Sequence, residues 1–105
     1  MSPRLFCAAA QSSLGIMYYH GQAVEQDYQE AIKWFQKAAD QGYAAAQNSL
    51  GDMYYNGWGV EKNYQEAIKW FQKAADQGHA TAQNNLGYMY QNGLRISQNY
   101  QEVLT

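Results

Sequence analysis

Residues 7–42 read CAAAQSSLGIMYYHGQAVEQDYQEAIKWFQKAADQG, and residues 43–78 read YAAAQNSLGDMYYNGWGVEKNYQEAIKWFQKAADQG. The two stretches are identical at 28 of 36 positions without a gap. Residues 79–105, HATAQNNLGYMYQNGLRISQNYQEVLT, restart the unit and match the second copy at 14 of 27 positions. Self-similarity at a fixed period of this size marks an array in which each unit buries its apolar side against a neighbour. Residues 1–105 are therefore read as a single domain of repeat units 7–42, 43–78 and 79–105, two of them full and the third truncated.

Each unit reads as two helices. In the first half Ala10, Leu14 and Tyr18 recur at i, i+4 and i+8, with Gln11, Gly15 and Met17 alongside, the spacing of one helical face. Gly21, Gly57 and Gly93 follow as helix stops, the residue type that most easily closes a helix. The second half opens on Asp27 and Glu30, repeated as Asn63 and Glu66 and as Asn99 and Glu102. That is capping-box spacing: the first residue accepts from exposed amides and the glutamate reaches back. Ala31, Trp34, Phe35, Ala38 and Ala39 then form one apolar stripe, Lys33, Lys37 and Asp40 fall opposite, and Gly42 and Gly78 end the second helices. A last second helix is predicted to start near Tyr100. The fold class is all-α, a solenoid of helix-turn-helix repeats. Gly15, Gly51 and Gly87 sit mid-helix, where glycine costs about 1 kcal/mol relative to alanine. Three in register predict a bulky ring, Trp34 or Tyr18, packed on bare backbone.

Composition narrows the function classes. Seven basic and nine acidic side chains give a formal charge of −2, which argues against a nucleic-acid-binding face, since such faces cluster Lys and Arg. The one cysteine, Cys7, has no partner for an internal disulfide. No apolar run approaches the roughly 18–20 residues that span a bilayer, and the first residues, MSPRLFC, are too short for a secretory core. Without a visible signal or membrane segment, a cytoplasmic location and no membrane partner are expected.

The pattern A-x-A-Q-x-x-L-G-x-M-Y-x-x-G-x-x-V, then Y-x-E-A-x-x-W-x-x-x-A-A-x-x-G, resembles the Sel-1-like repeat family, relatives of the tetratricopeptide repeats. Its anchors are Leu14, Gly15, Tyr18, Gly21, Val24, Ala31, Trp34, Ala38, Ala39 and Gly42, with counterparts 36 positions on. The resemblance implies a right-handed α-solenoid whose first helices line a concave surface, acting as an adaptor or scaffold in protein complexes. Cysteine-rich relatives that bind β-lactams carry a disulfide in each repeat; the lack of those cysteines here argues against that activity.

Repeat logic separates architecture from recognition. Residues identical in each unit build the stack, and exposed ones that differ are free to recognise a partner. On a helical wheel Ser12, Ile16 and Tyr19 lie opposite the Ala10–Leu14–Tyr18 stripe; their equivalents are Asn48, Asp52 and Tyr55, then Asn84, Tyr88 and Gln91. Tyrosine and asparagine at an open groove suit peptide recognition, because the ring supplies area at low entropy cost and the amide pairs with backbone. Plain solvated helix surface is the other reading of the same positions. Trp58 replaces Gln22 in a loop and reads either as an exposed contact residue or as loop packing. His20 and His79 occupy different repeat positions, and no metal-ligand spacing occurs. Asp52 lacks a second carboxylate for acid/base work. The expectation is a non-enzymatic protein- or peptide-binding module with no cofactor. The alternative is a structural module that associates through exposed apolar solenoid ends, since the truncated third unit leaves a stack incomplete.

Overall fold

The computed structural model describes the backbone of residues 3–104 and the side chains of residues 7–92. Five helices follow in order: α1 Pro3–His20, α2 Tyr28–Asp40, α3 Ala44–Asn56, α4 Tyr64–Asp76 and α5 Ala80–Leu104. Each packs on the next in sequence, α1 on α2, α2 on α3, α3 on α4 and α4 on α5. No strand occurs among the described residues. The first and third helices are thus the first members of successive pairs, as the repeat predicts.

Half of the expected capping box forms. Asp27 accepts from the Glu30 amide at 3.1 Å, and Asn63 from the Glu66 amide at 3.1 Å, which satisfies one of the amides left open at a helix start. The return bond is absent. The Asp27 and Asn63 amides donate instead to the carbonyls of Tyr18 and Tyr54, each at 2.9 Å. Glu30 and Glu66 turn to Lys33 and Lys69 at 3.6 and 3.2 Å. That backbone bond ties the end of each first helix to the start of the second. It leaves the glutamate free for a surface ion pair worth little on its own.

First helices carry two buried arcs where they have neighbours on both sides. On α3, Ala46 and Leu50 are fully buried on the arc towards α2, while Asn48 and Gly51 are buried on the arc towards α4. On α1 only the arc towards α2 is covered: Ala8 and Ser12 are buried, whereas Leu14 is 36% exposed and Ala10 is exposed. The Ala10–Leu14 stripe is real, but in the first unit no described element lies over it. Trp34 and Trp70 differ likewise. Trp70 is buried in the core shared with the preceding pair, and Trp34 is half-buried. The Trp70 Nε1 has no acceptor among the described residues, although Lys69 and Lys73 lie over its ring.

Amides link the units. Gln77 donates to Gln47 Oε1 at 2.8 Å, and Gln47 donates to the Ala39 carbonyl of the preceding unit at 3.2 Å. Gln41 repeats the first bond onto Gln11, and Gln83 repeats the second onto the Ala75 carbonyl. Gln47 is buried, so both ends of its amide are satisfied where an orphan would cost about 1–3 kcal/mol.

The third unit departs from expectation. No stop occurs at Gly93, no loop forms over residues 94–98, and no separate helix starts near Tyr100; α5 runs through all three. The loops that end the other first helices share a backbone requirement. Each needs two left-handed residues: Gly21 and Ala23 at φ +73° and +64°, and Gly57 and Gly59 at +70° and +76°. The equivalent of Ala23 and Gly59 is Arg95. Ala23 bears the same Cβ penalty in that conformation, so Arg95 alone does not account for the continuous helix. The capping pair Asn99 and Glu102 lies outside the described side chains.

The ring expected over the mid-helix glycines is Phe, not Trp34 or Tyr18. A Cβ at Gly15 would stand 2.7 Å from the Phe35 ring, and one at Gly51 would stand 2.6 Å from the Phe71 ring. No described atom lies within 4 Å of the same point at Gly87. Alanine therefore acts with opposite signs at equivalent positions. Gly51→Ala must displace a fully buried ring and should destabilise by about 1–3 kcal/mol. Gly87→Ala should stabilise by about 1 kcal/mol through helix propensity alone. Urea unfolding of the two variants beside the parent chain checks both signs.

Candidate functional site

The surface between successive first helices holds two shallow depressions of about 180 Å³ each. The first lies between α1 and α3 and is lined by Ile16, Tyr19, His20, Ser49 and Asp52, with Phe35 beneath. The second lies between α3 and α5 and is lined by Asp52, Tyr55, Asn56, Asn85, Tyr88 and Met89, with Phe71 beneath. Asp52 lines both, so the two adjoin at α3 and are taken together as a groove across three first helices. The phenylalanines that nest on Gly15 and Gly51 are also its floor.

Five of the predicted residues meet here: Ile16, Tyr19, Asp52, Tyr55 and Tyr88. Ser12 and Asn48 do not. They are 4% and 8% exposed. Asn48 accepts from Asn85 Nδ2 at 3.0 Å, a bond between α3 and α5. Asn84 and Gln91 are exposed but line neither depression; α5 packs on α4, and their arc points away from it. Trp58 is partly exposed and lines neither depression. Its ring stacks on Tyr28 at 5.7 Å and 15° and tilts against Tyr19 at 5.7 Å, which is the loop-packing reading.

Four lining residues were missed: His20, Ser49, Asn56 and Asn85. The groove face is rotated by about one residue from the wheel position chosen opposite Leu14. A wheel centred between the two buried arcs, on positions 16, 52 and 88, would have found it. Around that row Asn56 Nδ2 donates to the Asp52 carbonyl at 2.9 Å, and Ser49 Oγ donates to the Ala45 carbonyl at 3.1 Å.

Electrostatics single out the middle of the groove. Burial raises the Asp52 carboxyl above its ordinary value. Burial, then Tyr28, then Asp52 raise the Tyr19 hydroxyl. For Tyr55 burial comes first, followed by the neighbouring Tyr88 hydroxyl. Tyr55 and Tyr88 meet edge to face at 6.5 Å. Among the described residues no group of three or more His, Cys, Asp or Glu could hold a metal, and no helix is long and apolar enough to cross a membrane.

Residues 8–43, 44–79 and 80–102 each match the family model of the Sel1 repeat. The chain belongs to the Sel1 repeat family. Solved structures agree. A Sel1 repeat protein from Oxalobacter formigenes superposes with a TM-score of 0.80 and 45% identity over 82% of this chain and 35% of that one. The protein c5321, a protective antigen of uropathogenic Escherichia coli with an SLR fold, gives 0.80 and 46% over 82% of this chain and 18% of that one. Helicobacter pylori cysteine rich protein B gives 0.71 and 32% over 75% and 59%. The chain thus spans about a third and a fifth of the first two. No curated protein matches it. Sel1 repeats are a non-catalytic scaffold that generally mediates protein–protein interactions, and the helical pairs described above are two such repeats followed by part of a third.

A raised carboxyl makes the charged Asp52 a cost to this Sel1 fold. Its favourable contribution is complete below the unfolded value near 3.8 and is lost as pH rises through the folded value. Asp52→Asn should therefore unfold at a higher temperature than the parent at pH 7. The difference should close as pH falls towards and below 3.8; melting curves across that range check it.

Proposed function

We propose that the groove across α1, α3 and α5 receives an extended segment of a partner protein. The supporting observation is the row at positions 16, 52 and 88. All three line the groove at one repeat position, yet they carry an isoleucine, an aspartate and a tyrosine. Constant backbone with varied side chains at one groove position is the arrangement that reads a sequence along a ligand. Ile16 and Tyr88 are 43% and 58% exposed, so apolar area is available at both ends, where a few anchors carry most binding energy.

Random peptides displayed on phage and selected on the parent chain test this reading. Ile16→Ser combined with Tyr88→Ser should weaken the selected peptides by about 2 kcal/mol, or roughly thirtyfold. Lys33→Ala, on the opposite surface, should leave them unchanged. Peptides that bind the groove variant as tightly as the parent refute the proposal.

A second reading, end-to-end association, draws support from one contrast. Leu14 is 36% exposed where its equivalent Leu50 is fully buried. Another helical pair laid on α1 and α2 would cover Leu14 and Trp34 as the preceding unit covers Leu50 and Trp70. Light scattering on a size-exclusion column should then show a mass that rises with concentration, and Leu14→Glu should hold it at the 11.9 kDa of the sequence. A concentration-independent monomer rejects this reading.

A further inference from the structure

Asp52 is the one carboxylate among the described residues lining the groove, and neither Lys nor Arg lines it. Every lysine of the chain is engaged elsewhere. Lys33 and Lys69 reach Glu30 and Glu66, Lys37 and Lys73 lie over Trp34 and Trp70, and Lys62 lies over Tyr64. His20 shares the first depression, but its ring sits edge-on to Tyr19 at 4.8 Å. Among the described residues no side chain donates a hydrogen bond to the Asp52 carboxylate, whose neighbours include Tyr19, Tyr55, Tyr88 and Phe71. A half-buried charge held among rings, with no counter-charge among the described residues, is the complement of a cation on an apolar stem.

We infer that Asp52 receives the cationic end of a lysine or arginine side chain from the docked segment, an assignment that rests on the groove reading above. The methylene stem of such a side chain lies against Tyr55 and Tyr88 while its charged head meets the carboxylate. The rings add attraction for the cation, more for a planar guanidinium than for an ammonium. A charge-assisted hydrogen bond supplies the partner that Asp52 lacks among the described residues. A segment with a neutral or acidic residue at this point would cover Asp52 and leave its charge unpaired, which is strongly unfavourable. One carboxylate at the centre of three aligned positions therefore fixes both composition and register: a basic residue in the middle, with apolar residues directed towards Ile16 on one side and Tyr88 on the other.

The test uses random dodecapeptides displayed on phage and selected in parallel on the parent chain and on Asp52→Asn, with affinities read by fluorescence anisotropy. Asp52→Asn removes no side-chain hydrogen bond seen in the fold, so a folded variant is expected, and its circular dichroism is recorded beside the parent. Peptides selected on the parent should share one Lys or Arg position. Replacing that residue by Gln should weaken binding to the parent about tenfold or more and leave binding to Asp52→Asn unchanged. The preference should shrink as salt is added. Parent-selected peptides with no shared basic position, or a Lys-to-Gln loss that persists in Asp52→Asn, overturn the inference. If those peptides still lose affinity on Ile16→Ser with Tyr88→Ser, the groove reading stands and only the cation is wrong. Peptides indifferent to all three substitutions overturn both. Should selection return no peptide, the parent is titrated with N-acetyl-arginine amide and followed by NMR. Shifts at Asp52, Tyr55 and Tyr88 that vanish in Asp52→Asn support the inference, and silence at those residues overturns it.

Discussion

The contact of a phenylalanine ring with a glycine that has no Cβ sets most of the other distances in this fold. Phe35 on Gly15 and Phe71 on Gly51 let the two helices of a pair approach more closely than any other residue would allow. Close approach is what lets the Tyr18 and Tyr54 carbonyls reach the amides at the start of the second helices. The same rings lie beneath the two depressions. Groove depth and pair packing are therefore one variable. A Cβ at position 51 would push against both, since a ring that cannot stay between the helices has only the groove to move into.

Packing between pairs rests on a different device. The Gln47 amide is satisfied at both ends, by Gln77 of its own unit and by the Ala39 carbonyl of the unit before. Apolar contact at Leu50 and Trp70 is not directional and would tolerate small slips of one pair over the next. Hydrogen bonds to a buried amide are directional, and misalignment leaves polar atoms unpaired. The glutamine links thus supply register while the apolar residues supply the bulk of the attraction. Register matters because the groove exists only where successive first helices lie level.

Much of this was legible in the sequence, and the failures share a cause. Period, helix pairing, the caps at Asp27 and Asn63 and the close approach at the glycines all follow from local patterns that repeat. What was misjudged depends on which neighbour an arc faces. A first helix in a stack has two buried arcs, one to each side, and a wheel drawn around Leu14 identifies only one. The side opposite Leu14 takes in Ser12 and Asn48, which are buried and line neither depression. Trp58 stood out as an addition to the repeat, yet the rings it packs on, Tyr19 and Tyr28, lie a full unit away in sequence. The straight run of α5 passes through Arg95, at the position whose left-handed backbone the other units fill with Ala23 and Gly59. That requirement is invisible until the dihedral angles are known.

The proposed groove row would give a repeat specificity without altering its frame. Positions 16, 52 and 88 share one backbone environment, so their side chains can change without touching the Phe–Gly contacts or the glutamine links. Isoleucine and tyrosine at this row remain partly in water and cost the fold little. Aspartate is different, because burial raises its carboxyl and the charged form weakens the folded state at neutral pH. Asparagine, with nearly the same volume, would avoid that cost and leave the packing as it is. A charge with no partner among the described residues thus contributes nothing to the stack that a neutral residue would not. In the proposed binding mode its effect falls on what enters the groove: a cation is drawn to it, and an acidic or neutral group is turned away. Rejection of that kind is out of reach for the apolar ends of the row, since rings and methyl groups discriminate weakly between segments of similar size. In the proposed binding mode the single acid at the centre therefore does for specificity what the apolar positions flanking it do for affinity.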